Sequence, residues 1–159
     1  MSDSAMLFPP FFYLMRKTND WREFEEYVYY LFKLLGIHNI YKYEKQRGAP
    51  DGFFKFGNLV VVYDATLERD FEESKRDQIN NYCNLLKSGR IQYQTITVDV
   101  SNCRKQVWVI TRGLSSRIIR EQDEVTVKEV PIDELIKIYQ KRIEDNLKEV
   151  ELEDELKNI

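Results

Sequence analysis

The chain has 159 residues, of which 43% are hydrophobic and 13% aromatic, so it can bury one globular core and is not intrinsically disordered. Its 24 lysines and arginines against 27 aspartates and glutamates give a net charge of −3, so a nucleic acid partner needs a local basic patch. Two cysteines, Cys83 and Cys103, are too few for a disulfide framework or a zinc site.

The first 19 residues form an aromatic segment that we expect to lie against the core or against a partner. Its apolar run over 5–15 lacks a preceding basic stretch, contains two prolines and is too short to span a bilayer. We therefore expect a soluble, cytoplasmic protein that does not enter a membrane.

A helix is predicted over residues 21–35, capped by Asp20 and stopped by Gly36. At 100° per residue, Glu25 falls on the flank of the apolar stripe, where a partly buried functional carboxylate can sit. Glu26 points to water. The alternative for Glu25 is a solvated glutamate at the edge of the helix.

Two apolar strands around a Gly-Asn turn are predicted over residues 52–65. Gly57-Asn58 between apolar runs is a two-residue hairpin signal. With these residues as the loop, paired residue numbers sum to 115, and Asp51 then stands opposite Asp64 with Cβ atoms roughly 5 Å apart. Two carboxylates this close repel unless a cation such as Mg²⁺ lies between them. If a bulge shifts the register, both aspartates merely terminate strands.

The remaining elements predict a mixed β-sheet flanked by helices, an α/β sandwich. In chain order they are a segment leading to the sheet (37–43), a helix (71–87), strands (91–100 and 106–111), a short helix (114–122), a strand (124–128) and a helix from Pro131 into an acidic, exposed tail. We expect one domain, with an N-terminal segment (1–19), a core (20–130) and a C-terminal helix (131–159).

Several short motifs follow one another in a specific order. They are Phe24-Glu25 in the first helix, Pro50-Asp51-Gly52, an apolar strand ending in Asp64-Ala65-Thr66, and Gln78 with Tyr82 on the next helix. Each is weak alone, but the ordered set over roughly residues 20–110 resembles the PD-(D/E)XK nuclease superfamily. Within it, the set is similar to cleavage domains of FokI-like type IIS restriction and nicking endonucleases.

The resemblance implies a Mg²⁺-dependent endodeoxyribonuclease, with Mn²⁺ as a substitute metal. It implies Asp51 and Asp64 as metal ligands, joined by the backbone carbonyl of Ala65 and, directly or through water, by Glu25. In such enzymes the metal lowers the pKa of a bound water and neutralises charge on the scissile phosphate. The water attacks in line and leaves a 5′-phosphate.

The chain departs from the family pattern at the lysine that should follow the second acid by two residues, because Thr66 stands there. A hydroxyl cannot supply the positive charge that orients the attacking water. Three interpretations stay open. In the first, Lys75 reaches the site from the next helix, and in the second, a second metal ion held by Glu73 or Asp77 replaces the lysine. In the third, the domain is a degenerate nuclease that binds DNA without cutting it. Lys55 shares the face of the first aspartate but lies roughly 13 Å along its strand.

Double-stranded DNA is the expected substrate. Lys45 and Arg47 precede Asp51 and are placed to hold phosphates beside the metal, with a solvated loop as the alternative. The resemblance adds Gln78 and Tyr82 as further DNA contacts. Because no recognition module is evident, we expect a separate sequence-recognition domain or subunit, with a homodimer or heterodimer where both strands are cut. The competing hypotheses are a Holliday-junction or methyl-DNA-directed (Mrr-like) nuclease and a catalytically silent DNA-binding or assembly module.

Overall fold

A computed structural model of the protein describes residues 8–44 and 49–159. The helices are α1 (Phe11–Lys17), α2 (Trp21–Leu35), α3 (Phe71–Ser74), α4 (Arg76–Lys87), α5 (Ile132–Glu144) and α6 (Glu149–Asn158). The strands are β1 (Asn39–Lys42), β2 (Gly52–Phe56), β3 (Leu59–Ala65), β4 (Arg90–Tyr93), β5 (Ile96–Asp99), β6 (Arg104–Thr111), β7 (Arg117–Gln122) and β8 (Val125–Pro131).

Six of the strands form one mixed sheet in the order β1-β2-β3-β6-β8-β7. The first three are antiparallel, whereas β3, β6 and β8 run parallel to one another, and β7 pairs antiparallel at the far edge. The carboxyl ends of the three parallel strands therefore meet at one edge of the sheet, where open α/β sheets commonly bind ligands. The predicted α/β sandwich is confirmed.

Helices cover both faces of this sheet. On one face α1, α2, α5 and α6 pack over a core that includes Trp108, and on the other α4 and the β4–β5 hairpin pack over a second core. Alternate residues of β3 enter opposite cores, Tyr63 the first and Val62 the second. Because Asp64 continues this alternation, its side chain lies on the face that α4 covers.

The second helix has the predicted bounds. The Asp20 carboxylate accepts a hydrogen bond from the backbone N–H of Arg22 at 2.9 Å, and Gly36 ends the helix with a left-handed φ of 97°. Phe24 and four other apolar side chains of α2 are buried against the sheet. Glu26 is exposed, as predicted, and accepts a hydrogen bond from the Tyr30 hydroxyl at 2.7 Å.

The hairpin has the predicted register. β2 and β3 pair Phe56 with Leu59 at the turn and Gly52 with Tyr63 at the open end, so the paired numbers sum to 115 throughout. Gly57 takes a φ of 57° in the two-residue turn, a conformation that glycine adopts without strain. Asp51 and Asp64 are thus the next residues beyond the last pair.

Three predicted elements are wrong. The helix over 71–87 is interrupted at Lys75, whose φ of −110° and ψ of 12° are not helical. The strand over 91–100 is instead a hairpin that turns near Gln94, whose φ is 53°. No glycine stands at this turn to indicate it in the sequence. Residues 117–122 form the edge strand β7 and not a helix, because Ile118 and Ile119 are β-branched and β8 offers its open edge.

Both ends of the chain contribute to the first core. In α1 the side chains of Phe12 and Met15 are buried, so this part of the N-terminal segment lies against the core as expected. The acidic tail, expected to be exposed, forms α6 and buries Leu152 and Leu156. Across the described ranges no helix is long and apolar enough to cross a membrane.

Candidate active site

Asp51 and Asp64 lie together at the carboxyl end of β3. Asp64 is the second-last residue of this strand and is only 5% exposed, while Asp51 directly precedes β2 and is partly buried. The Asp51 carboxylate reaches across the end of the hairpin, where its Oδ2 accepts a hydrogen bond from the Ala65 backbone N–H at 2.7 Å. The hairpin register therefore brings the two carboxyl groups into contact.

The surroundings of Asp51 change the titration of its carboxyl group. Burial, then repulsion from Asp64 and from Glu25, raises the pKa of Asp51 from 3.8 to about 9. The hydrogen bond from Ala65 acts in the opposite direction but is a smaller effect. At neutral pH the aspartate pair therefore retains a proton unless a bound metal cation neutralises its charge.

Lys75 supplies an ammonium group at the same place. Its Nζ donates a hydrogen bond to Asp64 Oδ2 at 2.8 Å, from the non-helical residue between α3 and α4. Burial by itself would lower the pKa of Lys75, but the charge of Asp64, their hydrogen bond and the charge of Asp51 together raise it. The Lys75 ammonium is therefore charged at neutral pH.

Thr66 has a local structural role. Its side chain is buried, and its hydroxyl accepts a hydrogen bond from the backbone N–H of Glu68 at 3.1 Å. Its own N–H donates to the Ile110 carbonyl at 2.9 Å and so continues the pairing of β3 with β6. The hydroxyl thus holds the turn after β3, while the positive charge comes from Lys75.

Glu25 approaches the site from the helix on the other side of the sheet edge. It is half-buried and lines a cavity of about 410 Å³ together with Ala65, Thr66 and Lys75. Its charge contributes to the raised pKa of Asp51, so the two carboxyl groups interact electrostatically. The predicted position on the flank of the buried stripe is therefore observed.

The predicted contact of Glu25 with a metal ion, directly or through water, stays a prediction. Over residues 8–44 and 49–159, no three His, Cys, Asp or Glu side chains converge closely enough to hold one metal ion. Glu73 and Asp77, considered as ligands of a second metal, are exposed on α3 and at the start of α4. The carboxylates that do converge are those of Asp51 and Asp64.

Tyr82 lies beneath the aspartates and not on a surface that DNA can reach. Its side chain is 2% exposed, and its hydroxyl has no hydrogen-bond partner within the described part of the chain. Burial, then the charges of Asp64 and Asp51, raises the pKa of Tyr82. The predicted DNA contact is therefore wrong for Tyr82, and its hydroxyl is instead a buried donor close to the aspartate pair.

The other predicted DNA contacts occupy different places. Gln78 is half-buried one helical turn before Tyr82 on α4. Lys45 and Arg47 lie outside the described residues. Their assignment as DNA contacts stays a prediction.

Trp21 is a further residue of the site that was not predicted from the sequence. Trp21, the first residue of α2, lines the same 410 Å³ cavity and is 41% exposed, although it precedes the buried Phe24 and Val28 by three and seven residues. A signal was present in its spacing, because Trp21 precedes Glu25 by four residues and the two therefore share a helix face.

A mixed sheet covered by helices on both faces, with acidic residues at the carboxyl end of a central strand, defines a restriction-endonuclease-like fold. The crystal structure of the small subunit (R.BspD6I2) of the heterodimeric restriction endonuclease R.BspD6I has this fold, with a TM-score of 0.55 to the present chain. The similarity covers 99% of this chain and 97% of that one at 14% sequence identity, so it concerns the fold alone. No family model matches the sequence, and no curated protein is significantly similar to it.

Proposed function

We propose that this protein is the Mg²⁺-dependent endodeoxyribonuclease domain or subunit of a type IIS-like restriction or nicking enzyme. The observation that carries the proposal is the contact between Asp51 and Asp64 at the end of β3, with the Lys75 ammonium 2.8 Å from Asp64. Two crowded carboxylates beside a charged lysine are the side-chain chemistry that metal-assisted phosphodiester hydrolysis requires.

The residues present fit a hard divalent cation. Asp51 and Asp64 offer carboxylate oxygens and Ala65 a carbonyl oxygen, and Mg²⁺ is commonly held by one or two carboxylates while it keeps several waters. The raised pKa of Asp51 reflects a deficit of positive charge that a cation would remove. The Tyr82 hydroxyl, which has no hydrogen-bond partner among residues 8–44 and 49–159, is a buried donor that a water molecule of such a site would satisfy.

The protein's own groups then have distinct roles. When bound, the metal ion supplies a Lewis acid that polarises the phosphate and acidifies a water molecule. Lys75 is placed to donate a hydrogen bond to the attacking water or to a phosphate oxygen, as the strand lysine of the family does. The Ala65 N–H holds the Asp51 carboxylate in one orientation.

Sequence recognition is proposed to lie elsewhere. The chain has a net charge of −3, which is little attraction for DNA by itself. The structural neighbour is a subunit of a heterodimeric restriction enzyme, which supports a role beside a partner subunit or domain. Each active site would cut one strand of double-stranded DNA, and cutting both strands would require a homodimer or a heterodimer.

A plasmid-nicking assay tests the proposal. Supercoiled plasmid is incubated with Mg²⁺ or Mn²⁺ and increasing amounts of wild-type protein or the Asp64→Asn variant, and metal binding is measured by calorimetry. We expect metal-dependent nicking by the wild type and none by the variant. Absence of both cleavage and metal binding at every concentration would instead favour the catalytically silent module. The silent module was favoured by the absence of the strand lysine, and we propose that Lys75 supplies that charge instead.

A further inference from the structure

A cavity of about 410 Å³ opens beside the aspartate pair, which is within the size range of ligand sites. The charged side chains among the described residues that line it are Glu25, Glu68 and Lys75. Lys75 faces Asp64, and the rest of the cavity wall includes the uncharged side chains of Asn19, Trp21 and Leu67. These uncharged groups suit the face of a base or sugar.

Trp21 forms the aromatic part of this wall. Its side chain is 41% exposed, while the other tryptophan, Trp108, is completely buried in the first core. The guanidinium carbon of Arg22 lies 5.0 Å from the centroid of the Trp21 ring and covers one face of it. An aromatic ring held in this way, with part of its surface in an open cavity, is a stacking platform.

We propose that Trp21 positions the substrate by packing against the nucleotide next to the cleaved phosphodiester. This inference rests on the proposed nuclease function, because Lys75 and the aspartates then place the scissile phosphate at one end of the cavity. The neighbouring nucleotide extends along the wall to Trp21. Trp21 is thus a positioning residue for DNA and takes no part in the chemical step.

Tryptophan fluorescence tests this contact directly. Because Trp108 is buried, a change in emission on DNA binding reports on Trp21. In an Asp64→Asn background, which cannot cleave, titration with duplex oligonucleotide is expected to quench the emission. The quenching should disappear in Asp64→Asn/Trp21→Phe, which keeps an aromatic ring and therefore keeps most of the affinity.

Removal of the ring gives the second readout. Loss of one base–aromatic contact weakens binding by about five- to 150-fold, so Trp21→Ala should raise KM for nicking by that factor and leave kcat nearly unchanged. Trp21→Phe should restore most of the loss. Tyr13→Ala is the matched control, because Tyr13 is 64% exposed beneath a similar cation, Lys17, but lies outside the cavity.

The outcomes separate the two proposals. If the wild type nicks DNA but Trp21→Ala has an unchanged KM and DNA leaves the emission unaltered, the role of Trp21 is overturned and the nuclease function stands. If Trp21→Ala and Tyr13→Ala raise KM equally, the role of Trp21 is also overturned. A wild type that neither binds nor cleaves DNA overturns both proposals.

Discussion

Lys75 Nζ lies 2.8 Å from Asp64 Oδ2, although Lys75 belongs to the junction of two helices and Asp64 to the central sheet. In the family that the sequence resembles, the corresponding lysine follows the second acid on the same strand, where this chain has Thr66. We propose that the Lys75 ammonium group takes the place of this lysine from a different element of the fold. Its position depends on the interruption between α3 and α4, which sets Lys75 at the start of α4 beside the sheet edge.

The first prediction concerns Lys75. Lys75→Ala should lower the nicking rate by about 10²–10³-fold, the usual cost of removing one hydrogen-bond donor to the developing charge, while Lys75→Arg should retain part of the activity. The rate is measured with supercoiled plasmid at saturating Mg²⁺. Lys87→Ala is the control, since this lysine lies on the same helix but pairs with Asp123 at 2.7 Å. Equal rates for Lys75→Ala and Lys87→Ala would contradict a catalytic role for Lys75.

A lysine at position 66, directly after β3, should compensate for the loss of Lys75 from the junction between α3 and α4. The double variant Thr66→Lys/Lys75→Ala is expected to nick DNA about tenfold or more faster than Lys75→Ala, because a positive charge is restored beside Asp64. Thr66 borders the 410 Å³ cavity, so there is space for a longer side chain. The double variant is compared with Lys75→Ala in the nicking assay, and circular dichroism establishes that both are folded. No recovery by a folded double variant would argue against this equivalence.

Asp51→Asn should stabilise the protein without metal. The folded-state pKa of Asp51 is raised from 3.8 to about 9, so the folded state binds a proton more tightly than the unfolded state between these values. The contribution of Asp51 to stability is therefore fully present below about pH 4 and is lost as the pH rises towards 9. Asparagine carries no charge and so avoids this loss of stability. At pH 8 the free energy of unfolding of Asp51→Asn should exceed that of the wild type by on the order of 1–3 kcal/mol, measured by denaturation in EDTA.

An exposed aspartate, Asp70, provides the control for this stability measurement. Asp70→Asn removes an exposed carboxylate that makes no capping hydrogen bond to α3, so it should change neither the stability nor its pH dependence. Mg²⁺ should stabilise the wild type and not Asp51→Asn, so that with Mg²⁺ the wild type becomes the more stable of the two. Equal stability of the wild type and Asp51→Asn across pH 5–9 would show that the two carboxyl groups do not repel.

Mg²⁺ binding should release a proton. Since the metal binds the deprotonated carboxylate and the pKa of Asp51 is about 9, binding at pH 7.5 should displace about one proton. Apparent affinity should then rise about tenfold per pH unit up to about pH 9. Calorimetry in two buffers of different ionisation enthalpy measures the released proton, and a pH-independent affinity would contradict the prediction.

Local sequence determined the two elements on which the site is built. Helix α2 follows from apolar spacing, an Asp20 cap and a Gly36 stop, all of which act between residues a few positions apart. The register of β2 and β3 follows from the two-residue turn at Gly57-Asn58, and this register alone predicts that Asp51 meets Asp64. Turn stereochemistry and hydrogen bonds between near neighbours can be predicted from the sequence, because they depend on residues only a few positions apart.

The rest was decided by packing between distant segments. From the sequence, Lys75 as the replacement for the lysine expected at position 66 was one of three interpretations. Only the docking of α4 against the sheet brings its ammonium group to Asp64. The burial of Tyr82 and the opening of a cavity at Trp21 likewise depend on which helix face meets which strand. Such contacts join residues far apart in the chain, where no local spacing or turn signal specifies the distance between side chains.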